Sequence, residues 1–188
     1  AALGCAMRLA GDRPLVWHAR DLQAPEKAVR YVVPRATRIA AISACVADAL
    51  IDGHRAARRK TAMIHNGVDT LAFQPGRSGL QVREELGLTA NAPVIGTIGQ
   101  LVPWKRQDLF LEAAAHILAH EKDARFLVVG ADMFGEHSDY VAELRGLADS
   151  LGLGGRVIFT GFREDIASVM SALDVVVHAA ENEPLGRV

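Results

Sequence analysis

The sequence predicts an α/β protein built on mostly parallel sheet and arranged in two parts. Three observations carry this. Short β-type runs alternate with stretches of helical spacing along the whole chain, the order expected when strands are covered by helices. The runs are apolar throughout, as parallel strands buried on both faces are, instead of alternating apolar with polar. One stretch, Phe73-Gln74-Pro75-Gly76-Arg77-Ser78-Gly79, interrupts the pattern with Pro and Gly before a new helix and strand begin.

In chain order, Ala1–Ala10 reads as helix, with no charged-then-apolar leader ahead of it. Strand runs follow at Leu15–Trp17, Arg38–Ile42 and Ala62–Ile64. Ser43 is placed to cap the helix after the second run and Gly53 to end it. Asn66-Gly67 is a turn pair, and the domain boundary is expected near Pro75, dividing the chain into 1–75 and 76–188. Beyond it the strand runs are Val94–Ile98, Phe126–Val129, Val157–Phe159 and Val175–Val177. Between them, Phe110, Ala113, Ala114 and Ile117 keep helical spacing, as do Tyr140, Leu144, Leu147 and Leu151, and Ile166, Val169, Met170 and Leu173. The first part opens inside a helix and the second ends in a loop, so both read as incomplete.

Composition narrows the function. The 188 residues are 50% apolar, and a chain of this length buries roughly 70% of its unfolded surface. A formal net charge of −1 leaves no basic stripe for nucleic acid. No run is apolar and long enough to span a membrane. Cys5 and Cys45 both sit beside apolar residues and read as reduced core thiols.

In open parallel sheets, ligands bind beyond the carboxyl ends of the strands, so the residues that follow each run matter most. They are His18-Ala19-Arg20-Asp21, His65-Asn66-Gly67, Gly99 to Lys105, Gly130-Ala131-Asp132, Gly161-Phe162-Arg163, and His178 with Glu181 to Gly186. Gly99 allows close backbone approach, and Lys105 opens the next helix near its positive dipole end, so together they could hold a phosphate. The stretch lacks the Gly-Lys-Ser/Thr of a Walker loop, and a surface lysine in a turn explains it equally well. His18 could be a hydrogen-bonded edge residue, and Glu183 a solvated loop acid. His18, His65 and His178 have no close spacing and make no metal site.

Taken together and in order, four stretches resemble the retaining family-4 glycosyltransferases, which have the two-domain GT-B fold. Arg38-Ile39-Ala40-Ala41-Ile42-Ser43 is similar to the last strand and serine-capped helix of the family's acceptor domain. Ile64-His65-Asn66-Gly67-Val68-Asp69, followed by Phe73 and Pro75, resembles the interdomain linker. Gly96 to Lys105 looks like the first strand and phosphate loop of the donor domain. Val177-His178 through Glu183-Pro184-Leu185-Gly186-Arg187-Val188 resembles the opening of the family's paired-glutamate motif, whose second glutamate would fall beyond Val188.

The resemblance implies two Rossmann-like domains, each incomplete here, and a chain truncated at both ends. It implies transfer of a sugar from a nucleotide-diphosphate sugar to a hydroxyl of a glycan or lipid-linked acceptor, with no cofactor and no metal. Glu183 and His18 would contact the reacting sugar. Lys105 would neutralise the diphosphate. Gly99, Gln100 and the backbone of Leu185, Gly186 and Arg187 would meet the sugar and phosphates, and Phe162 and Arg163 the base. The expected location is the cytoplasm, with peripheral membrane contact through a front half outside this sequence. The stretch alone is expected to be inactive.

The chain departs from the family at Gln100, usually Arg, at Leu185, usually Phe, and at Ala179, often Ser or Cys. Losing the Arg removes a charge from the leaving-group side, which Arg106 or Arg187 could replace. A dinucleotide oxidoreductase would need a glycine spacing that Gly96 and Gly99 do not provide. The residues also allow another GT-B enzyme, such as an epimerase or phosphorylase, or a non-catalytic nucleotide-sugar binding module.

Overall fold

A computed structural model describes residues 13–22 and 26–185. The expected helix over Ala1–Ala10, with Cys5, lies outside the described residues, as do Gly186, Arg187 and Val188. The chain divides into two compact units. One runs to Gly67 and takes in the segment from Asn182, and the other is Val68–Glu181.

The first unit holds a parallel sheet in the order β1-β2-β3, formed by Val16–Ala19, Arg38–Ala41 and Thr61–Met63. Helices α1 (Glu26–Arg35) and α2 (Ala44–Gly53) complete it. The core gathers Val33, Ile39, Ala41, Val46 and Leu50. Ser43 caps α2 as the sequence predicts: its Oγ accepts from the Val46 N–H at 3.3 Å. Gly53 is the last helical residue, with the cap at His54.

The second unit holds a parallel sheet in the order β6-β5-β4-β7, with β4 at Val94–Ile98, β5 at Arg125–Val129, β6 at Val157–Gly161 and β7 at Val175–Val176. Its helices are α3 (Leu80–Glu85), α4 (Gln107–His120), α5 (Ser138–Ser150) and α6 (Ile166–Ala172). The unbroken apolar run of β5 has a simple cause. Side chains alternate across a strand, and Phe126 and Val128 join one core with Phe110, Leu111 and Leu144. Leu127 and Val129 join the opposite core with Val82, Ile98 and Val169.

Three expectations need correction. Burial on both faces holds for β4 and β5 but not for β3 or β7, whose residues are largely exposed. Among the described residues those strands lie at the edges of their sheets. On α4 the buried stripe is Gln107, Phe110, Leu111 and Ala114, while Ala113 and Ile117 face outward. The sequence pattern is ambiguous there because apolar residues occur on several sides of this helix. Cys45 is an exposed free thiol, not a core one. It stands in the first turn of α2, next to the buried Val46 but turned away from the core.

Candidate functional site

The strands of the second unit run parallel, so their carboxyl ends share one edge. Three glycines line it. Gly99 follows β4 with φ 153°, Gly130 follows β5 with φ 139°, and Gly161 ends β6 with φ 72°. Backbone hydrogen bonds join them: the Gly99 N–H donates to Val129 O at 2.9 Å and the Gly130 N–H to Gly161 O at 3.0 Å. A Cβ at Gly130 would lie 1.8 Å from the Gly99 carbonyl oxygen, so no side chain fits there. The result is a floor of bare backbone across three adjacent strands, the setting in which a ligand approaches peptide groups most closely. In the sequence Gly130 is one strand end among several, and only the sheet order shows it wedged against Gly99.

Lys105 borders this floor. It ends a 3₁₀ turn, Pro103–Lys105, just ahead of α4. A Cβ at Gly99 would lie 3.9 Å from the Lys105 Cδ and Cε, so the lysine stem runs past that glycine. Its Nζ lies 4.4 Å from the centre of the Trp104 ring, a cation–π distance.

Gln100 is anchored through its backbone. Its carbonyl accepts from Gln107 Nε2 at 2.9 Å. Gln107 is 2% exposed and its Oε1 accepts from the Tyr140 hydroxyl at 3.3 Å. Sequence reasoning missed Gln107. The signal was its place one turn before Phe110 and Leu111, on the face of α4 that turns inward.

The next residue after Lys105, Arg106, has left-handed backbone at φ 55°. Its guanidinium engages both Asp108 and Glu181. The hydrogen bonds it donates to Asp108 and then to Glu181 push its pKa up. Burial opposes ionisation of Asp108, but hydrogen bonds from Arg106 and the Leu109 N–H hold that carboxyl below its usual value. The Arg106 charge is thus matched by two carboxylates. Trp104, Arg106, Tyr140, Glu143, Leu147 and Glu181 line an open pocket of about 680 Å3.

At the β6 end, Phe162 is 58% exposed. The Arg163 guanidinium is bidentate to Glu85 at 2.6 and 2.9 Å and bonds both Asp165 oxygens at 2.8 Å. Those bonds raise the arginine pKa and lower both carboxyls. This side chain ties the loop to Glu85 and Asp165.

In the first unit, His18 is exposed on β1 opposite Ala40. Glu183 and Leu185 belong to this unit by their contacts, and Leu185 packs on its core. The Cys45 thiol donates to the Pro184 carbonyl at 3.3 Å. His65 Nδ1 lies 3.1 Å from Ile42 O. The structure thus gathers Gly99, Gln100, Lys105, Phe162 and Arg163 at one sheet edge, and His18, Glu183 and Leu185 in the other unit. Gly186 and Arg187 lie outside the described residues. Among the described residues, no group of three His, Cys, Asp or Glu could hold a metal ion, and no helix is long and apolar enough to cross a membrane.

Residues 80–188 match the family model of the glycosyl transferases group 1. The chain is 34% identical over 206 residues to the D-inositol 3-phosphate glycosyltransferase of Mycobacteroides abscessus, covering 98% of this chain and 45% of that protein. It is 34% identical over 184 residues to the enzyme of the same name from Geodermatophilus obscurus, covering 95% and 39%. The chain therefore spans less than half the length of these curated relatives. Among solved structures, Anabaena HepE in complex with UDP and glucose aligns with a TM-score of 0.86 at 33% identity, over 99% of this chain and 52% of HepE. WaaG, a glycosyltransferase of lipopolysaccharide biosynthesis, aligns at 0.75 and 18% identity over 98% of this chain and 58% of WaaG, a likeness of fold.

Proposed function

The chain belongs to the glycosyl transferases group 1 family and has a GT-B type fold, and from that premise we propose that the whole protein is a retaining glycosyltransferase of family 4. It moves a hexose from a nucleotide-diphosphate sugar to a hydroxyl of a glycan or lipid-linked acceptor. The observation that carries this is the side-chain-free floor of Gly99, Gly130 and Gly161 with the Lys105 stem along it, inside the family-matched stretch. HepE, 33% identical, holds UDP-glucose, which favours a uridine diphosphate donor as the first to test.

In this reading residues 1–75 serve the acceptor side and 76–188 the donor side. As the sugar–phosphate bond breaks, negative charge grows on the departing diphosphate. Lys105 and the start of α4 meet that charge without reorganising. Gln100 adds a hydrogen-bonding side chain without charge. Phe162 and Arg163 present backbone to the base. Glu183 and His18 orient the sugar through its hydroxyls, lowering the entropic part of the barrier. The backbone of Leu185, Gly186 and Arg187 meets sugar and diphosphate, and Arg187 adds a cation. Attack comes from the leaving group's own face, so configuration is kept. No cofactor takes part, and the protein acts in the cytoplasm or at its membrane face.

Lys105→Ala in the whole protein is expected to lower transfer by about a hundredfold or more, with the product's anomeric configuration, read by NMR, matching the donor's. Undiminished transfer in the variant, or an inverted product, would refute this role or this stereochemistry. Gln100 favours a second reading, a nucleotide-sugar binding module, which binds donor and never releases nucleoside diphosphate.

A further inference from the structure

The turn after β4 is held bond by bond. The Gly99 N–H donates to Val129 O at 2.9 Å and the Leu101 N–H to Ala131 O at 3.1 Å. The Gln100 carbonyl accepts from Gln107 Nε2 at 2.9 Å. The Gln100 N–H, between these groups, donates to no acceptor among the described residues. Its direction follows from its own peptide. A Cβ on Gly130 would lie 1.8 Å from the Gly99 oxygen, so the Gly99 carbonyl is turned toward Gly130. The peptide is trans, and in a trans peptide the N–H points opposite to the carbonyl. The Gln100 N–H therefore points away from Gly130.

Neighbouring peptides keep it there. The one before is fixed at the Gly99 N–H, and the one after is fixed at both ends, by Ala131 O and by Gln107. Of these three bonds, only the one from Gln107 comes from a side chain. Gln107 is 2% exposed and uses both ends of its carboxamide: Oε1 accepts from the Tyr140 hydroxyl at 3.3 Å. That hydroxyl in turn accepts from the Asp108 N–H at 3.4 Å, in the first turn of α4. Burying an amide costs free energy that an apolar side chain would not, and the bond it makes in return fixes this one carbonyl.

We propose that Gln107, braced by Tyr140, is a positioning residue for the donor: it fixes the Gln100 peptide so that the Gln100 N–H meets the diphosphate. This rests on the reading of the turn from Gly99 to Lys105 as the diphosphate side of the site. A backbone donor set in place before the charge arrives needs no reorganisation. It also supplies a hydrogen bond that does not depend on which side chain stands at position 100.

The test uses the whole protein and measures Kd for UDP, GDP and ADP, each against its own nucleoside, well below the Tm of every variant. Gln107→Met fills similar space without the amide donor. The expected loss is about ten- to a hundredfold in affinity for the diphosphate that binds, with the affinity for its nucleoside unmoved. A merely structural role would weaken both ligands alike, or neither. Tyr140→Phe removes one hydroxyl and keeps the ring, so it tests the same brace with less disturbance to folding. It should lose about fivefold with the same selectivity. The double variant should lose no more than Gln107→Met alone, because Tyr140 acts through Gln107. In the unliganded protein, the Leu101 amide should exchange hydrogen faster in Gln107→Met. Undiminished diphosphate affinity in either variant, an equal loss for the nucleoside, additive losses, or unchanged exchange at Leu101 would each overturn the proposal. A wild-type protein that binds none of the three diphosphates would overturn the proposed function and this proposal with it. Binding that Gln107→Met leaves unchanged would overturn this proposal alone.

Discussion

Lys105 and Arg106 are neighbours in sequence with different surroundings. One runs its stem past Gly99 with its ammonium over Trp104, and the other is held by Asp108 and Glu181. The place of Lys105 was legible, because it comes just before the helix that follows a strand-end glycine, but its use was not. The fate of Arg106 was not legible either, because Glu181 is 75 residues away and no local pattern links them. Cys45 misled for a related reason: apolar neighbours in sequence do not say which side of a helix faces in. Gly130 yields the sharpest residue-scale prediction. Gly130→Ala adds a Cβ that meets the Gly99 carbonyl at 1.8 Å, in backbone at φ 139°. Strain and overpacking together should cost at least about 2 kcal/mol, read as a lower urea midpoint. An unchanged midpoint would mean the two strand ends are not in contact. Gln107→Leu leaves the Gln100 carbonyl without its donor and should cost about 1–3 kcal/mol, measured the same way.

At the scale of elements, the seven strands among the described residues fall within a residue or two of the apolar runs that predict them. For β4 and β5 the reason is burial on both faces, which needs apolar side chains throughout. Which strands are edges was not legible, since strand order is a property of the whole sheet. Two arginines show how elements are joined by bonds that sequence spacing hides. Arg83 on α3 donates to Ala172 O at 2.9 Å, Ala90 O at 2.9 Å and Asp174 at 2.9 Å, tying α3 to the end of α6 and the start of β7. Arg83→Met should lower stability by about 2 kcal/mol, or roughly 4–8 °C in Tm. Arg163 joins the end of β6 to Glu85 at the end of α3 and Asp165 before α6. Hydrogen bonds from Arg163 hold both carboxyls below their usual values. A carboxyl depressed in the folded state stabilises above its unfolded pKa of about 4, and that contribution is lost as pH falls through the folded value. The Tm of wild type and of Arg163→Gln should therefore differ most near neutrality and converge below about pH 4. A gap that stays constant into acid would show that the ion pairs carry none of the difference.

For the molecule as a whole, the order of runs along the sequence suggests two parallel-sheet parts and a strand-end site, and the two compact units each carry such a sheet. The backbone floor was only half legible: its glycines are visible in sequence, but their contact across three strands depends on the order β6-β5-β4. In the function proposed above, this floor and Lys105 hold a nucleotide-sugar donor and Glu183 contacts its sugar. The most direct measurement is a transfer assay on the whole protein with uridine, guanosine and adenosine diphosphate sugars, detecting released nucleoside diphosphate. Release with one donor class, abolished in Glu183→Ala, is the expected result. Neither release nor binding with any of these donors would contradict it.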